Sequence, residues 1–257
     1  STTLYVVQRM AQLAALFMFA GLAGYLHGRR LLGSQSWRAY GWMSLSLTLG
    51  TALAAFSKEN GVLLPILVVV VEFCLPQRQQ KALPDWRWRA LFLWLPAMAV
   101  CYQLGREISF SPDPWPTRPF NQVERLWSEA RILCEYLWHL FVPRIEGRGL
   151  FHDGYAISYG WLQPATTLAS VIGIVALLVG AVWLRRRLPL VSLAILFFFA
   201  AHLLESTVVG LELYFEHRNY VASAFLFLPV AATVVWLSGK ISLSVVGVVV
   251  AAMLSML

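Results

Sequence analysis

Charge is what this sequence has least of: 13% of its 257 residues are Asp, Glu, Lys or Arg, against 59% hydrophobic. So thin a polar complement cannot coat a soluble globule, which excludes that class and points to a polytopic membrane protein. Cysteine is also scarce. Cys74, Cys101 and Cys134 all lie within or beside apolar runs and show no metal-ligand spacing, so they read as small packing hydrophobes. No repeat of 34 residues is visible, which excludes a tetratricopeptide array within the chain. Acid is scarcer than base, and the net charge is +7. The basic residues fall in short clusters between apolar runs, as in cytoplasmic loops, so nucleic acid is not an expected partner.

What the chain does have is long apolar runs. They centre on 4–26, 39–56, 61–75, 89–104, 165–184, 188–206, 219–238 and 241–257, each near the length needed to cross about 30 Å of hydrocarbon. Trp86, Trp88, Trp183 and Trp236 fall near run ends, where amphipathic rings favour the headgroup level. The expected fold is all-α: one transmembrane domain over 1–257, a helical bundle of about eight spans.

Residues 121–142, "NQVERLWSEARILCEYLWHLFV", are long enough to cross but carry Glu124, Arg125, Glu129, Arg131 and Glu135. Each would cost about 2.5–3.5 kcal/mol in hydrocarbon. Their helical spacing gathers the polar residues on one arc, with Arg125/Glu129 and Arg131/Glu135 as i,i+4 pairs. The spacing therefore predicts an amphipathic helix on the membrane surface or against the bundle. With that helix not crossing, loops 27–38, 76–88, 185–187 and 239–240 share one side. Together with Arg89 at the membrane edge they hold eleven of the twenty basic residues and one acid, Asp85. That side is expected to be cytoplasmic. Residues 105–164, on the opposite side, include the proline-rich "SPDPWPTRPF" and the amphipathic helix. They are expected to form an external cap over a cavity.

Polar chemistry collects on the external side. "SKENGVLLP" puts Lys58 and Glu59 at the outer end of the second span, and "FEHRNY" puts Glu216, His217, Arg218 and Tyr220 at the outer entry to the penultimate one. Arg9 lies about two turns into the first span on that side, where a cation is costly unless it faces protein, water or an anion. Lys58, Arg218 and Arg9 converging on one hollow would suit a membrane-embedded phosphate, with Glu59 and Glu216 orienting them. The plainer reading makes Lys58/Glu59 a solvated turn and Arg218 a partner of Glu212 or Glu216, with Glu205 farther off. His152 and Asp153 in "FHDGY" could be ligands or acid–base groups, but no third ligand is identifiable, so no metal or cofactor is expected.

Four stretches, "YVVQRMAQLAALF", "AAFSKENGVLLPILVVVVEF", "GLFHDGYAIS" and "LELYFEHRNYVAS", resemble in their order the bacterial relatives of the transmembrane-tetratricopeptide O-mannosyltransferases. The resemblance implies a GT-C glycosyltransferase that moves a sugar from a polyprenyl-phosphate donor to an acceptor protein or glycan outside the cytoplasm, in a bacterial inner membrane. It implies donor-phosphate binding by Lys58, Arg218 and Arg9. Glu59, Glu216, His217 and Tyr220 would support them, and His152 and Asp153 would border the acceptor. It further implies that this chain is an internal fragment: the catalytic carboxylate would lie in a loop before Ser1 and a repeat tail after Leu257. Two other readings use the same residues: a lipid-linked saccharide transporter or flippase, and a non-catalytic membrane module.

Overall fold

The computed structural model describes residues 9–75, 83–109, 115, 118–142 and 155–238. Among these the fold is all-helical, with no strand beyond one isolated bridge between Gly160 and Gln163. The last apolar run, 241–257, lies outside the described residues, as do His152 and Asp153.

Helices α1 (Arg9–Leu31) and α2 (Ser36–Ser57) form the tightest pair. Their contact is built from small residues, which let backbones approach where hydrocarbon gives helices no hydrophobic reason to associate. A Cβ on Gly21 would sit 3.2 Å from the Gly50 Cα, and one on Gly28 would sit 2.9 Å from the Ala39 carbonyl oxygen. The turn into α3 (Leu64–Cys74) is a 3₁₀ segment, Glu59–Leu63. Gly61 is required there: a Cβ would lie 2.2 Å from the Ala54 carbonyl carbon. Pro65 then opens α3, where its missing N–H costs nothing.

At the far end of α1 and α3 an acid embedded in an apolar run finds its partner. Arg29 Nε lies 2.7 Å from Glu72 Oε1, and the Tyr25 hydroxyl donates to the same oxygen at 3.0 Å. A charge inside a span is costly unless paired, and this pair joins two helices that run in the same direction.

Short helix α4 (Trp86–Arg89) continues through a π turn, Ala90–Trp94, into α5 (Leu95–Arg106). The π turn immediately precedes Pro96, whose ring would clash with the carbonyl one turn back in a regular helix. Helix α6 (Gln122–Phe141) begins on a reciprocal cap. Asn121 Oδ1 accepts from the Glu124 N–H and Glu124 Oε2 accepts from the Asn121 N–H, both at 2.9 Å. Helices α7 (Thr166–Leu184) and α8 (Pro189–Ala201) follow, then a non-helical stretch. A 3₁₀ turn, Glu216–Arg218, leads into α9 (Asn219–Ala222), a second 3₁₀ turn and α10 (Leu228–Ser238).

By length and composition α1 and α7 are long and apolar enough to cross a membrane, and a third crossing arises if Glu216–Phe225 and Leu228–Ser238, bent by 42°, form one broken span. Two expected runs are corrected in detail. The run at 188–206 is helical only to Ala201, and that at 219–238 is interrupted at Ser223–Phe225. The reason for the first break lies in what α6 does to residues 202–215.

Candidate functional site

The polar arc of α6 faces inward. Arg125 and Glu129 are 0% and 1% exposed, while Val123, Leu126, Trp138 and Phe141 are exposed. Ile132 and Tyr136 share the buried side, and the exposed apolar side chains suit a helix whose outer face meets an apolar medium. The inward arc grips the chain between α8 and α9. Arg125 donates through Nε to the Thr207 carbonyl at 3.0 Å, to that of Glu205 at 2.7 Å and to those of Leu211 and Glu212. Gln122 donates to the Val208 and Glu107 carbonyls at 2.9 and 2.8 Å. The Tyr136 hydroxyl donates to the Phe215 carbonyl at 2.9 Å and accepts its N–H at 2.7 Å. Buried non-helical backbone must have its polar groups met by protein or water, and α6 meets them with side chains.

Arg218 belongs to the same device. It donates to the carbonyls of Leu213, at 2.8 Å, and Glu212, and reaches Glu129 Oε1 at 3.2 Å. Arg125 reaches that same oxygen at 2.9 Å. One carboxylate thus joins two guanidiniums between α6 and the start of α9. Burial pushes the Glu129 carboxyl above the usual carboxylate range, opposed by the two arginines, and burial lowers Arg125 to about 10.

Lys58 occupies a different place on the same rim. It caps α2 in an extended conformation (φ −159°, ψ 144°), its N–H bonded to the Ala54 carbonyl. Its ammonium pairs with Glu205, whose side chain is 3% exposed. Glu205 connects the two groups, since its backbone carbonyl accepts from Arg125 while its carboxylate holds Lys58. Among the buried polar atoms without a hydrogen-bond partner are His202 Nε2 and His217 Nδ1, both on residues within electrostatic reach of Glu205, and Asn60 Oδ1 and Ser206 Oγ, on residues near the pair in sequence; Glu129 Oε2 and Asn219 Oδ1 are others. Ser206 lies against Glu129, and Asn219 against His202, without hydrogen-bonding geometry. His217 is within electrostatic reach of Lys58, Glu205 and Arg218. Orphaned buried polar atoms are costly, and their gathering beside an ion pair marks a place able to bind polar matter.

Lys58, His217 and Arg218 are therefore brought to one rim. Glu59 is exposed, so the partner of Lys58 is Glu205 rather than its sequence neighbour. Glu216 is half-buried beside this rim, and Tyr220 is 44% exposed on α9. Arg9 is exposed at the start of α1, and among the described residues no hydrogen bond or ion pair joins it to Lys58 or Arg218. Arg218 is not a free cation but a buried one with protein acceptors around it. Sequence reasoning placed Glu205 farther off and passed over His202, Ser206 and Asn219 as site members. The available signal was the polar break "HLLEST" in an apolar run. Among the described residues no group of three or more His, Cys, Asp or Glu side chains is arranged to hold a metal ion.

No family model, curated protein or solved structure matches the chain.

Proposed function

We propose that this chain is a GT-C type membrane glycosyltransferase, a bundle of about eight spans that holds a polyprenyl-phosphate sugar at its outer rim. The observation that carries the reading is the buried Lys58–Glu205 ion pair with His202 and His217, each holding an unpartnered ring nitrogen, within electrostatic reach of Glu205. A sugar phosphate offers complementary donors and acceptors to such a set, and its charge competes with Glu205 for Lys58. The broken chain between α8 and α10 supports the reading too, because interrupted helices in membrane proteins tend to line substrate cavities.

In this proposal Lys58 meets the donor phosphate, and His217 and Asn219 contact the head of the carrier. Arg218, Arg125 and Glu129 are positioning residues that shape the rim. An acceptor hydroxyl attacks the anomeric carbon, the bond from that carbon to the phosphate oxygen breaks, and the lipid phosphate departs with the electron pair, stabilised by Lys58. The acceptor's proton passes to a general base at the acceptor side.

The test is transfer from radiolabelled polyprenyl-phosphate sugars by protein expressed from the whole reading frame that encodes this chain. Lys58→Gln combined with Glu205→Gln leaves no lone carboxylate buried, and is expected to lower transfer about a hundredfold with the melting temperature retained. Full transfer by the double variant would overturn the assignment. Lipid movement across the bilayer without transfer would favour the transporter reading.

A further inference from the structure

A cleft lies at the other end of α8 from Lys58 and Glu205, between the start of α8 and α10. It has a volume of about 420 Å³ and is lined by Arg187, Leu190, Val191, Ala232, Thr233 and Trp236 among others. Its floor is apolar: the one hydroxyl, on Thr233, is satisfied by the Pro229 carbonyl within its own helix, at 2.8 Å. The volume falls within the range of about 300–1,000 Å³ typical of small-molecule sites.

One cation, Arg187, lines the cleft, and Arg186 precedes it in the chain. Helix α7, long and apolar enough to cross a membrane, ends at Leu184, so in such a crossing Arg185, Arg186 and Arg187 would stand where hydrocarbon gives way to water. Arg185 is held over the Phe73 ring, 3.9 Å from its centroid. Arg186 and Arg187 are exposed, and Arg187 lies 5.8 Å from the Trp183 ring. No acid occurs in the sequence from 154 to 204 to answer these cations. An apolar trough lined by Arg187, with the exposed Arg186 next to it in the chain, matches a lipid with an anionic head.

We propose that this cleft binds one anionic phospholipid of the bilayer, with an acyl chain between α8 and α10 and the phosphate against Arg186 and Arg187. The site depends on α7 crossing a bilayer and not on the glycosyltransferase reading. Uncharged or zwitterionic lipid fills the trough without engaging the arginines, so charge sets the preference.

The test is native mass spectrometry of the detergent-purified chain titrated with dioleoylphosphatidylglycerol or dioleoylphosphatidylcholine. One phosphatidylglycerol per chain is expected to be retained at concentrations that leave phosphatidylcholine unbound. Arg186→Gln with Arg187→Gln should weaken retention at least tenfold, since each surface cation is worth roughly fivefold for an anionic lipid. Ala232→Phe, at an exposed position, fills the trough and should abolish retention with the helix content unchanged. A photoreactive side chain placed at position 232 should label lipid. Equal retention of the two lipids, or wild-type retention by both variants, would overturn the proposal. So would photolabelling of residues 241–257 or of a second copy of the chain, which would make one of those the occupant.

Discussion

Removing the Glu129 carboxylate is the sharpest perturbation of the rim. Glu129→Ala deletes the common partner of Arg125 at 2.9 Å and of Arg218 at 3.2 Å, and leaves two guanidiniums buried, each under 5% exposed. Breaking a buried ion pair by removing one partner costs about 3–5 kcal/mol, most of it the penalty on the charge left behind. For a chain of this size, that is a fall in melting temperature on the order of 10 °C. Replacing a whole buried charge cluster with apolar residues often restores stability elsewhere. Here it should not, because the arginines also serve the carbonyls of Glu205, Thr207, Leu211, Glu212 and Leu213. Arg125→Met, Glu129→Leu and Arg218→Met combined would orphan all five. We therefore expect the triple variant to be no more stable than Glu129→Ala, measured by the fraction that remains monodisperse on size-exclusion chromatography after heating in detergent. A triple variant as stable as wild type would refute the view that α6 exists to satisfy the unravelled chain at 202–215. A Glu129→Ala protein that melts within a degree or two of wild type would refute it as well.

Other outcomes follow from the same geometry. Gly61→Ala drives a methyl into the backbone of α2 at Ala54 and should lower membrane abundance severalfold, at a cost of about 2 kcal/mol or more, read by quantitative blotting of membrane fractions. Glu72→Ala strands Arg29 in a span and should destabilise the α1/α3 contact, whereas Arg29→Met with Glu72→Met should recover much of the loss in the same thermal assay. Asn121→Ala removes one arm of the cap on α6 and should cost about 1 kcal/mol, while Asn121→Ser should cost far less, both read as melting temperatures.

Much of the fold was legible because its determinants are local. The apolar runs marked helices, and the charges and polar arc of residues 121–142 marked α6 as an amphipathic helix. Which way α6 faces was not legible, because a polar arc can seek water or an unravelled backbone, and only the tertiary partner decides. The same gap hid the break after Ala201. Leu203, Leu204, Val208 and Val209 continue the apolar run, and the carbonyls that Arg125 captures lie about eighty residues from it in sequence. The partner of Lys58 was hidden for a related reason. Glu59 adjoins it in sequence, but the extended backbone at Lys58 and the following 3₁₀ turn separate the two side chains, and Glu205 fills the place.

Binding of a polyprenyl phosphate to the purified chain in nanodiscs, compared between wild type and the Lys58→Gln, Glu205→Gln variant, tests the central claim most directly. We predict saturable binding by wild type, competed by the lipid phosphate but not by the matching polyprenol, and weakened at least tenfold in the variant. Equal binding of phosphate and alcohol, or equal binding by the two proteins, would contradict it.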